Sequence, residues 1–310
     1  MKTILFLEPL FKEMIWGGDK LHRDFGYDIP SNHTGECWAI AAHKNGDSKV
    51  LSPEFKGCTL SELWDTHREL FGNLSGEVFP LLIKIIDAND DLSIQVHPDD
   101  CYAKENENGS LGKTECWYIL DCEEDTDIII GHNAKNKDEL IRMAEHREWD
   151  TLLRKVKIKK GDFFQIDAGC IHAIRGGTVI LETQQNSDIT YRLYDYDRLS
   201  DGKPRELHTK KALDVIDAPF TPSGIARTTS EDNGLCRETL VKTKNYTVER
   251  ITLSGEGIIN QNHHFMNLSV IEGEGEIDGY KIKKGSHFIL PFGYKDAKLS
   301  GNMELIISYL

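Results

Sequence analysis

The apolar positions of this chain fall mostly in short runs. Phe79-Pro-Leu-Leu-Ile-Lys-Ile-Ile86 is apolar at odd and even positions alike, which predicts a strand buried on both faces or nearly so. Leu92 to Val96, Glu115 to Leu120 and Thr126 to Ile130 are further β segments that alternate or run apolar. Strands return at Asp162 to Ile166, Thr178 to Gln184 and Thr190 to Tyr194. Helical periodicity is rarer. Thr59 to Phe71 reads as a helix: Thr59-x-x-Glu62 has the capping-box form, Leu60, Leu63, Trp64 and Leu70 make an apolar stripe, and Gly72 supplies the stop. Lys137 to Val156 reads as one long helix with Leu140, Ile141, Ala144, Trp149, Leu152 and Leu153 on its apolar side. A short helix follows from Glu206 to Ile216. Asp217-Ala-Pro-Phe-Thr-Pro222 is the best linker, since its two prolines interrupt regular structure, and from there to Leu310 only strands and turns are expected. The pattern predicts a mostly β protein with inserted helices and at least one barrel.

Candidate chemistry sits on these strands. Gln95-x-His97 places two side chains on one face of a strand, because residues two apart point the same way. Glu115 opens another strand, and the turn Gly161-x5-Asp167-Ala-Gly169-x2-His172 delivers a second imidazole. Two imidazoles, a carboxylate and an amide oxygen make a donor set for a divalent transition metal. Gln95 reads either as a ligand or as a hydrogen-bond donor behind one. Near the C-terminus, Gly285-x5-Pro291-x-Gly293 repeats the turn but carries Asp296 where the first copy has His172. His263 and His264 are adjacent, so on a strand they face opposite sides. The second copy is therefore expected to lack a metal. His67, His132 and His146 lie on polar or helical stretches and are expected to be solvated.

Composition narrows the partners. A net charge of −14 argues against nucleic acid and anionic membranes, and requires any anionic substrate to find a local basic pocket. Only four apolar residues follow Thr3 before Glu8, too few for a signal-peptide core, and no apolar run approaches a membrane span. Seven cysteines at irregular spacing, without a Cys-x-x-Cys pair, read as reduced thiols of a cytoplasmic protein.

Longer strings carry a resemblance. The Gly-x5-Asp-x-Gly-x2-His turn is similar to the second signature of the cupin superfamily of jelly-roll barrels, with Asp167 in place of the usual proline and Gly176 where asparagine is common. Phe79 to Ala88, Leu92-Ser-Ile-Gln-Val-His-Pro-Asp-Asp100, Gly112-Lys-Thr-Glu-Cys-Trp117 and Ser187-Asp-Ile-Thr-Tyr-Arg-Leu-Tyr-Asp195 closely resemble the type I mannose-6-phosphate isomerase family in its short bacterial form. The resemblance implies two cupin-type jelly-roll barrels, the second degenerate and metal-free: a catalytic domain over residues 1–220 with helical insertions and a C-terminal domain over 221–310. It implies one Zn²⁺ per chain held by Gln95, His97, Glu115 and His172, and active-site roles for Arg192, Lys113 and Glu182. The implied partner is a small sugar phosphate, interconverted between mannose 6-phosphate and fructose 6-phosphate.

Residue spacing assigns parts to that chemistry. Moving a proton between C1 and C2 through an enediol needs a Lewis acid, a positioned base and cations for the phosphate. Lys113 lies two residues from Glu115 and should share its cavity; Thr190, Arg192 and Tyr194 share one strand face, and Ile180, Glu182 and Gln184 another. Arg192 either stabilises the enediolate or binds the phosphate; alternatively it joins a surface ion-pair group with Asp188, Asp195 and Asp197. The proton is moved by Glu182 or by a metal-bound water, and Glu182 reads equally as an orienter of His172 or Lys113. Competing readings of the whole chain are a different cupin metal chemistry, such as iron-dependent oxygenation, and a carbohydrate-binding module without turnover. Lys113 and Arg192 beside the ligand set favour the isomerase.

Overall fold

The computed structural model describes residues 3–200 and 202–310. The chain is mainly β, with short helices in the connections. One antiparallel sheet orders its strands Phe163–Ile166, Glu115–Cys122, Thr178–Gln185, Leu81–Ala88, Leu10–Gly18 and Thr34–Ile40. A second runs Leu153–Lys157, Asp127–His132, His172–Ala173, Ile94–Val96 and Tyr191–Tyr194. Trp117, Ile119, Ile86 and Ile180 of the first meet Ile128 and Ile130 of the second in one apolar cluster, so the two sheets pack face to face.

The first sheet is covered on its other side too. Leu81, Ile83, Ile85, Val179 and Leu181 turn away from the second sheet and join Tyr246, Val248, Phe265 and Ile306 of the C-terminal half. Every residue of Leu81–Ala88 and Thr178–Gln185 is buried, polar ones such as Lys84, Asp87 and Glu182 included, because both faces of these central strands are covered.

The C-terminal strands build a nine-stranded sheet around a core of their own, including Ile251, Leu268, Phe288 and Leu305. Its long strands Thr247–Gln261, Lys295–Tyr309 and Phe265–Ile277 are neighbours. The first strand of the chain, Leu5–Glu8, completes this sheet: Leu5 pairs with Ile289 on one side and Leu7 with Val50 on the other.

The capping box forms as its residues predict. Thr59 accepts from the Glu62 N–H, and the Glu62 carboxylate accepts from the Thr59 N–H at 2.8 Å. The helix covers Leu60–Thr66, tightens into a 3₁₀ turn over Arg68–Phe71 and stops at Gly72 in the left-handed conformation (φ 62°). The expected long helix from Lys137 to Val156 does not exist. It divides into Lys137–Glu145, a single turn Trp149–Leu152 and the edge strand Leu153–Lys157, with Arg147 in the left-handed region at φ 58°. Leu153 and Val156 suit a helical stripe and an edge strand alike, and pairing with Asp127–His132 settles the competition. The short helix expected from Glu206 spans Thr209–Val215, and no helix follows it among the described residues. Nor is any helix among them long and apolar enough to cross a membrane.

Candidate metal centre and catalytic cavity

Three neighbouring strands of the five-stranded sheet set the centre. His172 pairs with Gln95, and Gln95 pairs on its other side with Arg192, so the three side chains stand in a row on one face. His97 follows two residues after Gln95. Glu115 comes from the opposing sheet, where it pairs with Ile166 and Gln184. The turn before His172 depends on Gly169, whose φ is +86° and whose Cβ position lies 2.7 Å from Asp217 Oδ2. Lys113 is pinned by its own backbone, which donates to the Pro98 carbonyl at 3.0 Å.

The expected ligands converge. Donor atoms of His97, Glu115 and His172 lie within 4.8 Å of one another, and all three residues are buried. His97 Nε2 is 3.4 Å from Glu115 Oε2, His172 Nε2 is 3.5 Å from Glu115 Oε1, and the two Nε2 atoms are 3.1 Å apart. Each ring pairs its other nitrogen with a backbone carbonyl, His97 Nδ1 with Ile189 at 2.7 Å and His172 Nδ1 with Cys170 at 2.9 Å. Carbonyls only accept, so both Nδ1 atoms carry the proton and both Nε2 lone pairs point inward. Two lone pairs, a carboxylate and an amide are a donor set that fits a divalent metal cation. The Gln95 amide nitrogen lies 3.3 Å from His172 Nε2, and a half-turn about Cγ–Cδ presents Oε1 instead. Cys116 and Cys170 point elsewhere, their thiols towards the Thr183 and Ile171 carbonyls, and all seven cysteines are free.

The electrostatics agree with this tautomer. Burial, then the nearby Lys113 ammonium, push His97 down to about 3, and burial lowers His172 as well. Burial opposes the charge on Glu115, but Lys113 and the two imidazoles outweigh it and hold its pKa well below the usual carboxylate range. Lys113 Nζ sits 2.8 Å from Glu115 Oε2 and 3.2 Å from His97 Nε2.

Above the centre opens a cavity of about 440 Å³ lined by Lys113, Glu182, Gln95, Thr190 and Arg192. Trp117 Nε1 donates to Glu182 Oε1 at 3.1 Å and to Glu115 Oε1 at 3.0 Å. Burial, then the Glu115 charge, raise Glu182 to about 7. Arg192 Nη1 donates to the Glu206 carbonyl at 2.8 Å, while its buried Nε has no hydrogen bond. The ion-pair group around Arg192 does not form. Asp188 faces His43 and Asn45, Asp197 takes Arg147, and Asp195 takes Arg198 and Arg205.

Two expectations need correction. Tyr194 leaves the face it should share with Thr190 and Arg192, because the strand register shifts between Arg192 and Tyr194; its ring stacks on Trp149 instead. His132 is buried rather than solvated, its ring N–H donating to the Asp217 carbonyl at 2.8 Å. Gln184 is enclosed, its amide satisfied by the Gln185 and Ser187 carbonyls.

Sequence reasoning also missed a cation on the cavity wall. Lys84 lies opposite both Glu182 and Trp38 in register, 3.4 Å from Glu36 Oε2 and 3.9 Å from Glu182 Oε2. Trp38 Nε1 donates to Glu36 at 2.6 Å, and the Lys84 ammonium lies 4.9 Å from the Trp38 ring. The available signal was a lysine inside the otherwise apolar run Leu81–Ile86, since a buried ammonium needs partners.

Known proteins share this sequence along its whole length. Residues 4–121 match the family model of the phosphomannose isomerase type I catalytic domain, and residues 237–310 that of the mannose-6-phosphate isomerase cupin domain. The chain is 55% identical to mannose-6-phosphate isomerase ManA of Bacillus subtilis, over 99% of this chain and 98% of that one. Mannose-6-phosphate isomerase of Streptococcus mutans is 47% identical, covering 100% and 99% respectively. A crystal structure of the mannose 6-phosphate isomerase from Bacillus subtilis superposes with a TM-score of 0.98 at 49% identity, over 99% of this chain and 100% of that one. With the buried His97, Glu115 and His172 in place beneath its cavity, this chain belongs to the type I phosphomannose isomerase family, whose cupin domain it also carries.

Proposed function

We propose that the chain interconverts mannose 6-phosphate and fructose 6-phosphate by moving a proton between C1 and C2 through an enediol. The names borne by its relatives support the substrate. The observation that carries the chemistry is the convergence of His97, Glu115 and His172 beneath a cavity that also holds Lys113, Glu182 and Arg192. We assign one Zn²⁺ to His97, Glu115, His172 and the Gln95 amide. When bound, it supplies a Lewis acid for the charge that grows on the sugar oxygens.

The protein's own groups do the rest. Glu182, raised towards neutrality, takes the proton from C2 of the aldose and returns it to C1 while the hydroxyl proton passes from O2 to O1, with Trp117 Nε1 fixing one of the Glu182 oxygens. Lys113 donates to the oxygen on which negative charge develops. Arg192 holds the phosphate. We assign the catalytic jelly-roll barrel to residues 1–220, apart from the strands Leu5–Glu8 and Lys49–Val50 that join the C-terminal sheet, and a second, metal-free barrel to 221–310. In its support, Asp296 stands at the place of His172, exposed and bound to Asn260 Nδ2 at 2.7 Å. Free thiols favour the cytoplasm, and the charge of −14 disfavours nucleic acid and membrane partners.

A coupled assay on mannose 6-phosphate, before and after chelation and again with zinc restored, tests this reading. Turnover lost on chelation and regained with zinc is expected. A zinc-loaded protein inert towards both sugar phosphates would overturn it.

A further inference from the structure

The charge of the cavity mouth is at odds with the charge of the chain. Arg205 lines the same cavity as Arg192, in a protein with a net charge of −14. Asp195 is buried and is shared by two guanidinium groups. Arg205 meets it with Nε at 2.7 Å from Oδ2 and with Nη2 on Oδ1, while Arg198 Nη2 takes Oδ1 at 2.6 Å. One carboxylate therefore answers two cations. Arg192 adds a third, whose guanidinium bonds only a neutral carbonyl among the described residues, and the Glu206 carboxylate beside it is turned to solvent. The bidentate pair uses the Nε–Nη2 edge of Arg205 and leaves Nη1 without a hydrogen bond among the described residues. Arg192 Nε is buried and has no hydrogen bond among the described residues. Like charges held together with unused donors call for an anion between them.

We propose that Arg205 is a second phosphate-binding residue, acting with Arg192 on the phosphate of the substrate, and that Asp195 is the positioning residue that aims it. The inference rests on the reading of the substrate as a sugar phosphate. In a hexose 6-phosphate the anion is at the carbon farthest from the reacting pair. Arg192 and Arg205 share the wall of that cavity and neither is a metal ligand, so a clamp formed by the two is free to take the anion. The phosphate carries nearly two charges at neutral pH, enough to engage both guanidinium groups. Arg198 is spent on Asp195 and on the Asp91 carbonyl, so it buttresses the clamp without reaching the ligand.

The test is steady-state kinetics and direct phosphate binding on zinc-loaded Arg205→Gln, Arg205→Lys and Asp195→Asn proteins. Arg205→Gln should raise KM for mannose 6-phosphate roughly 10–100-fold, the scale of a lost charge-assisted contact, with kcat changed only a few-fold. The dissociation constant for inorganic phosphate should rise in parallel, and metal content should stay at one per chain. Arg205→Lys should fall between wild type and Arg205→Gln, and Asp195→Asn should raise KM in the same direction. Unchanged KM and unchanged phosphate affinity in Arg205→Gln, or in Arg205→Lys where the first variant does not fold, would overturn the proposal. Calorimetry with inorganic phosphate separates this outcome from a failure of the substrate reading, because it needs no turnover.

Discussion

His97 and His172 point their Nε2 atoms at each other across 3.1 Å while each donates its Nδ1–H to a backbone carbonyl. An ordinary imidazole takes up a proton near pH 6.5 and thereby competes with a metal. Burial lowers both of these rings, His97 to about 3, so protons compete only in stronger acid. The expected outcome is metal affinity that changes little between pH 8 and pH 5.5. Competition titration against a chelator of known affinity checks it; a fall of about tenfold or more for each unit of pH below 6.5 would show that the rings titrate as ordinary imidazoles.

Lys113 bears on the same centre through Glu115. Replacing Lys113 with Met leaves a buried carboxylate without its ammonium. Removing one partner of a buried ion pair costs about 3–5 kcal/mol. Urea denaturation of the metal-free Lys113→Met protein should show a loss of that order, largely recovered when a divalent metal is added. A loss that metal does not repair would mean that Lys113 supports the fold and not the charge of Glu115.

Glu182 gives a pH prediction with a definite sign. Its folded pKa is raised to about 7 from 4.5, so it is the protonated acid that the fold prefers. Its stabilising contribution is complete below pH 4.5 and is lost as pH rises through 7. Glu182→Gln stays neutral throughout. The variant should therefore gain on wild type from pH 4.5 upward and melt a few degrees higher above pH 7, while turnover falls about 10²–10⁴-fold. Thermal melts and kcat across pH 5–9 check both parts.

Gly169→Ala tests how the turn places His172. The left-handed φ and the 2.7 Å approach to Asp217 Oδ2 leave no room for a methyl group. We expect about 1–3 kcal/mol of destabilisation and weaker metal retention by the folded protein, because His172 is three residues away. Metal analysis after dialysis checks the second point; full retention would show that the sheet holds His172 without the turn.

The ligand set was legible in the sequence because its geometry is local: Gln95-x-His97 and the bracketed turn before His172 need only strand alternation and a glycine. Lys84 and Arg205 were not. Lys84 acquires meaning only when the distant strands carrying Trp38 and Glu182 pair beside it, and Arg205 only when Asp195 folds back to it. Tyr194 was misplaced because a register shift is invisible to a period of two. The helix from Lys137 failed at Arg147, where one left-handed residue ends a pattern that the apolar positions alone would continue.

Leu5–Glu8 has a consequence for how the protein is made. Its partner strand, His287–Pro291, leaves the ribosome long after it. Until it emerges, the first strand waits with one edge open, although Val50 has long been available on its other side. Closing a pairing across nearly the whole chain is slow, and an unpaired edge invites association with other chains. Translation must pass the strand His287–Pro291 before Leu5–Glu8 has both its neighbours, so a nascent chain stalled before residue 287 keeps that edge exposed.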